Sequence, residues 1–263
     1  MPTLTTASAT VSAVTAGNLS VTLPSYIAND IVVVTVMAWV PNTATGANTI
    51  ATPSGWNKYT PAVTRITGGL IDAEFALFWA RATSTSSLGT SVTFTRPTGW
   101  DTGADTCWAG RGQGIRDCIT VGNPWDAINV SPIFTTTNAT VPSIAVLGNN
   151  RNIFAFFIAS DNNNTSFTQS STYGTTGGAF TNTGTDAGFA TYIGPLTSSS
   201  ELPFPLPQTA PAQGGYVYFV ASFAPLPVVS STATGSGLGS ETATGNIPSV
   251  GINHSYWGTD ALL

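Results

Sequence analysis

The sequence predicts an all-β fold, an antiparallel β-sandwich carrying an extended C-terminal arm, on three observations. Residues 31–40 (Ile-Val-Val-Val-Thr-Val-Met-Ala-Trp-Val) are a run of stiff β-branched side chains closed off by Asn29-Asp30 and Pro41-Asn42, the pattern of a strand buried on both faces. The other apolar runs are short or alternating, and none has the length, period and caps of a helix. With 263 residues at 42% hydrophobic, the chain can bury a substantial core as one large β domain or two small ones.

Taken in order, residues 19–23 alternate apolar and polar and stop at Pro24, an outer strand that leads by a turn into the central one. An Asn/Thr/Gly-rich loop covers 41–49, and Pro53-Ser54-Gly55-Trp56 is a turn that delivers an aromatic. Residues 74–82 (Glu-Phe-Ala-Leu-Phe-Trp-Ala-Arg-Ala) have helical propensity. Gly68-Gly69 before them, a Thr-Ser tract after them and the clean alternation at 90–95 argue for strand. The Gly-rich stretch 96–121, which holds both cysteines, reads as a long excursion or a hairpin with a decorated tip. After a turn at Asn123-Pro124-Trp125-Asp126, strands are expected at 139–144, 153–159, 188–193 and 216–224.

Two pairs of stretches look alike at an offset of about 115 to 120 residues, too long for a solenoid. Pro24-Ser25 before Asn29-Asp30 resembles Pro142-Ser143 before Asn149-Asn150, and Ala73-Glu74-Phe75-Ala76 resembles Ala187-Gly188-Phe189-Ala190. Either the two halves contribute comparable strands, as double Greek keys do, or strand composition has converged. The domain boundary is placed at 227. Residues 230–245 are a Ser/Thr/Gly/Ala spacer, and beyond it Ile247, Val250, Ile252, Tyr256 and Trp257 make a peptide too apolar for a solvated tail. These five are candidate anchors onto a neighbouring molecule, with folding back onto the same sandwich as the alternative.

Only 7% of residues are charged, against about 25% in an ordinary soluble domain. The net charge is -5, with Lys58 the sole lysine and six arginines scattered between Arg65 and Arg151, so no basic stripe exists to neutralise phosphates. Nucleic acid is therefore not an expected partner. Met1-Pro2-Thr3-Leu4-Thr5-Thr6 has neither the charged nor the apolar region of a signal peptide, and no run reaches the ~18 residues of a helical span. A soluble chain made in a cytoplasm, without membrane contact, is expected. Cys107 and Cys118, bracketing Gly110-Arg111-Gly112-Gln113-Gly114, stay open between a disulfide across a hairpin and two thiols.

His254 is the only histidine and lies in the terminal peptide, which speaks against a histidine metal site or a Ser-His-Asp triad in the body of the chain. The twelve acids are dispersed, so a hydrolytic carboxylate pair depends on the fold, and turn acids are the plainer reading. Gly110-x-Gly112-x-Gly114 and Gly235-x-Gly237-x-Gly239 lack the strand, helix and Lys-Ser/Thr of phosphate loops. A calcium site at Asp161-Asn162-Asn163-Asn164 has oxygen ligands but little charge. No metal or cofactor is expected, and no catalytic residue is assigned. Trp56, Trp100 and Trp125 sit in Gly/Pro/Asp turns, where they either stack on sugar rings or plug the ends of a sandwich.

The order of these features resembles a β-sandwich family of tailed-bacteriophage virion structural proteins. The likeness runs from Leu19-Ser20-Val21-Thr22-Leu23-Pro24 through 31–39, Thr52-Pro53-Ser54-Gly55-Trp56, 75–80 and Ser91-Val92-Thr93-Phe94-Thr95. It continues in Asn123-Pro124-Trp125-Asp126-Ala127, Ala139-Thr140-Val141-Pro142-Ser143 and 153–159. It covers most of residues 1–227, whereas the Cys107 to Cys118 segment departs from it. The resemblance implies a jelly-roll-like body and a non-enzymatic structural role. The leading expectation is a capsid cement or decoration protein in the virion, a trimer contacting the major capsid protein and latching on by its arm. The second expectation is a glycan- or receptor-binding module on a tail or fibre.

Overall fold

A computed structural model of the chain describes residues 1–5, 12–14, 16–43, 50–60, 62–67, 70–97, 107–132, 144–146, 151–161, 166–167, 174–175, 179–181, 186–195, 200–201, 208–209, 215–227, 229–230 and 246–247. Among them there is no helix, and every pairing between strands is antiparallel. The first half contributes β1 (Thr3–Leu4), β2 (Ser12–Val14), β3 (Leu19–Thr22), β4 (Ile31–Thr43), β5 (Asn57–Lys58), β6 (Val63–Thr67), β7 (Leu70–Arg81), β8 (Ser91–Phe94) and β9 (Cys107–Arg116). The second half contributes β10 (Trp125–Val130), β11 (Ile144–Ala145), β12 (Asn152–Asp161), β13 (Ser166–Phe167), β14 (Gly174–Thr175), β15 (Ala179–Thr181), β16 (Asp186–Pro195), β17 (Ser200–Glu201), β18 (Gln208–Thr209) and β19 (Gly215–Phe223).

Each half builds its own sheet, and the two sheets share one plan. The first runs β1-β9-β4-β7-β5, with β2 also on β9 and β6 also on β7; the second runs β10-β19-β12-β16-β14, with β15 also on β16. The ribbon β3-β8 in the first half has its counterpart in β11-β17 in the second. Matched strand for strand, β4 corresponds to β12, β7 to β16 and β9 to β19. The likeness read between the halves is thus a repeat of strand order, which convergent composition alone would not produce.

β4 lies where the sequence placed the centre, and both of its faces are covered. Ile31, Val33 and Met37 point into a core shared with the second sheet, while Val32, Val34, Val36 and Ala38 point into a second core closed by β3 and β8. The shared core is complementary in size. The second sheet supplies Phe154, Phe156, Phe189, Phe219 and Phe223, and the first supplies mostly aliphatic side chains such as Leu77 and Ile115. Large rings against smaller branched chains let the layers interdigitate, and each buried phenylalanine contributes about 1.5–3 kcal/mol.

Over the described part of 96–121, neither the long excursion nor the decorated hairpin is what forms. Residues 107–116 are one continuous strand, hydrogen-bonded to β4 on one side and to β1 and β2 on the other. The three glycines alternate with Arg111 and Gln113, so they clear one face of β9, and β3 lies against that face. A Cβ on Gly110 would stand 2.6 Å from Val21 Cγ2, and one on Gly112 would stand 2.9 Å from the Thr22 carbonyl oxygen. Glycine here marks a close approach of backbones rather than a break. This strand carries the chain about 30 Å from Cys107 to Arg116, at 3.3 Å per residue, and Cys118 follows only two residues later, whereas a disulfide needs Cα atoms within roughly 7 Å. Cys118 is a free, buried thiol, and the pairing of these two cysteines within one chain is ruled out.

The other expected strands fall at β3, β7, β8, β12, β16 and β19, with 74–82 extended as its neighbours require. Of the strand expected at 139–144, residues 139–143 lie outside the described residues. The compact unit of the sandwich ends at Pro225, two residues before the boundary drawn from composition. In the second unit, β20 (Val229–Ser230) pairs with β21 (Asn246–Ile247). Gly112→Ala forces its methyl against backbone, and we expect a loss of about 1–3 kcal/mol, read as a lower midpoint in denaturant unfolding with unchanged slope.

Candidate functional site

The strand registers place the starts of β4 and β12, the ends of β7, β9 and β19 and the start of β1 at one end of the sandwich, called here the proximal end. Most of the well-defined polar contacts gather there. Asp30, 1% exposed, accepts Arg116 Nε at 3.0 Å on Oδ1 and Arg116 Nη2 at 2.9 Å on Oδ2, and Oδ2 also accepts the Ile27 N–H at 2.9 Å. The hydrogen bond to Asp30 pushes the Arg116 guanidinium above its ordinary range. Asn29 takes the left-handed conformation (φ 71°), which an asparagine tolerates, and this turns the chain so that Asp30 faces inward. In the second half Arg151 Nε donates to Asp126 Oδ2 at 3.2 Å. Arg81 donates to the carbonyls of Ile119 and Gly122, closing the β9–β10 connection over the end of the sheet.

A third pair lies on the outer face of β7. Glu74 is fully buried and accepts the Ile50 N–H on both carboxylate oxygens, at 2.9 and 3.1 Å. Lys58 Nζ donates to Glu74 Oε1 at 3.1 Å and to the Ile50 carbonyl at 2.8 Å, and stands 5.6 Å from the Phe78 ring centroid. Burial raises the Glu74 carboxyl above the usual range, and the Lys58 charge and these hydrogen bonds pull it partly back. Between the sheets, Arg111 Nη1 donates to the Phe189 carbonyl at 3.3 Å and Gln113 Nε2 to Thr191 Oγ1. Burial holds the Arg111 guanidinium below its ordinary range.

Chemically, these groups hold strands and loops in place. Asp30, Glu74 and Asp126 each face a cation, and no group of three or more metal-binding side chains occurs among the described residues. The calcium candidate at Asp161 to Asn164 lies mostly outside the described residues, as do Trp100, Val250, Ile252, Tyr256 and Trp257; Ile247 falls in β21.

Of the two places read for the tryptophans, Trp56 and Trp125 take the plugging one. Trp125 is half-buried, 4.6 Å from the Phe223 ring and 6.1 Å from that of Trp79, against the shared core. Trp56 packs on the opposite face of the first sheet, against the β3/β8 core. The two therefore plug different seams and form no joint platform for a sugar. Sequence reasoning missed the Lys58–Glu74 and Asp30–Arg116 pairs. A lone acid inside an apolar run and the sole lysine of the chain were the available signals, but nothing in linear spacing joins them.

Comparison with family models, curated proteins and solved structures finds no match to this chain.

Two measurements check this geometry. Glu74 has a raised carboxyl, so its contribution to stability is greatest when it is protonated and falls as pH rises past the usual carboxylate range. Lys58→Met removes the compensating charge, and we expect a cost of about 3–5 kcal/mol at neutral pH that shrinks toward pH 4. Denaturant midpoints at both pH values give the comparison. Burial pushes the Cys118 thiol up to about 12, so native protein should resist iodoacetamide at Cys118 and react there fully once unfolded, as peptide mass spectrometry would show.

Proposed function

We propose that the chain is a non-enzymatic virion structural protein of the tailed-bacteriophage type, a capsid cement or decoration protein that works through an oligomeric body and its arm. One observation carries the reading most: the described interior acids are each engaged by a cation within the fold, which leaves a charge-poor body suited to contact rather than chemistry. The strand order supports the jelly-roll part of the reading. In each half a four-strand path (β1-β9-β4-β7 and β10-β19-β12-β16) is accompanied by a two-strand ribbon whose members come before its third and second members in chain order, β3 before β4 and β8 before β9 in one half, β11 before β12 and β17 before β19 in the other.

The body assembles as a homo-oligomer, a trimer, beside the major capsid protein, and residues 228–263 latch onto a neighbour. Many weak contacts repeated on a lattice hold a shell by avidity, so no deep pocket is required. Location on a tail or fibre, with a glycan or receptor as partner, is the second reading, and the separated tryptophans give it no platform. A chain lacking residues 228–263 should keep the sandwich melting transition and lose its place on purified particles. Unchanged occupancy would remove the arm from the mechanism.

A further inference from the structure

The proximal end has a composition unlike the rest of the described surface. Met1, Ile27 and Val121 are the exposed large hydrophobics among the described residues, at 55%, 45% and 71%, and all three lie there. Ile27 sits in the β3–β4 loop tied to Arg116 through Asp30, Met1 precedes the strand whose Thr3 is paired with Arg116, and Val121 lies in the β9–β10 connection held by Arg81. Among the described residues the side-chain charges at this end balance, Arg81, Arg116 and Arg151 against Asp30, Asp117 and Asp126, which leaves the Met1 α-amino group as the unmatched charge. A face with so little net charge gains little from a charged surface, so its complement is an uncharged one.

Two further observations point the same way. The chain leaves the sandwich at this end, where Cys118 bridges to Pro225 and the Ile119 N–H donates to the Ala224 carbonyl at 2.8 Å. Lateral pairing through the edge strand β10 is discouraged, because a register shift between Trp125 and Ala127 bends it and the Asp126 side chain, 4% exposed, turns inward onto Arg151.

We propose that the proximal end is the seat of the sandwich on its shell, and that Ile27 and Val121 contact an uncharged, apolar protein surface repeated across that shell. This rests on the virion reading above and adds to it which face attaches. Five strands about 4.8 Å apart and layers about 10 Å apart give an end of roughly 500 Å². That is below the ~800 Å² per partner of a stable complex, so the seat is weak alone and holds through repetition and through the arm.

The test uses the full chain as an Ile27→Asp/Val121→Asp double variant, with Thr95→Asp, exposed at the far end of β8, as control. Wild type and variants are added to purified particles lacking the protein, and bound chain is quantified below saturation. We expect the double variant to keep the wild-type melting temperature and lose about tenfold in occupancy, with Thr95→Asp unchanged. Wild-type binding matched by the double variant would overturn the seat and leave the virion reading standing. Absence of wild-type binding would strike the virion reading itself. Self-association of free wild type that the double variant abolishes would make this end a contact between copies and overturn the proposal.

Discussion

The structure depends on one buried layer, the contact between the phenylalanine-rich face of the second sheet and the aliphatic face of the first. Neither sheet has a polar face to offer water at this layer: Val33 and Met37 on one side and Phe154 and Phe156 on the other are at most 1% exposed. A sheet so composed persists only when covered, and here each half covers the other. The outer ribbon then solves the remaining problem for β4, whose second face is equally apolar. The glycine face of β9 lets that ribbon come close enough to exclude water.

Apolar layers alone leave register loosely determined, since a ring slides over a valine at small cost. The polar contacts supply what the hydrophobic effect lacks. Arg111 and Gln113 reach across from β9 to β16, where each meets a partner at a fixed height, and a shift of the sheets would strand both groups away from water. The pairs at Asp30, Glu74 and Asp126 do the same for loops and edges.

The sheet frame was largely legible in the sequence. β4, β7, β12, β16 and β19 are apolar runs between turn residues, and hydrophobicity reports them directly. β9 was not, because Gly110, Gly112 and Gly114 read as punctuation unless their two-residue period is weighed against the polar residues between them. The cysteines stayed open for the same reason, since only the path of β9 decides between a disulfide and two thiols. Trp56 and Trp125 stayed open between two places for a related reason: a turn fixes where an aromatic starts, while packing decides where it goes. The ion pairs were invisible, since partners such as Asp30 and Arg116 meet only through β-pairing. The candidate anchors, apart from Ile247, lie beyond the described residues.

A body held in this way has one interior made by both halves. That picture requires the two halves to stand or fall together. Residue-resolved amide hydrogen exchange tests it most directly. The account predicts that the central amides of β4 and β12 exchange through a single opening event of the same free energy. Full exchange of β12 while β4 stays protected, or the reverse, would contradict it.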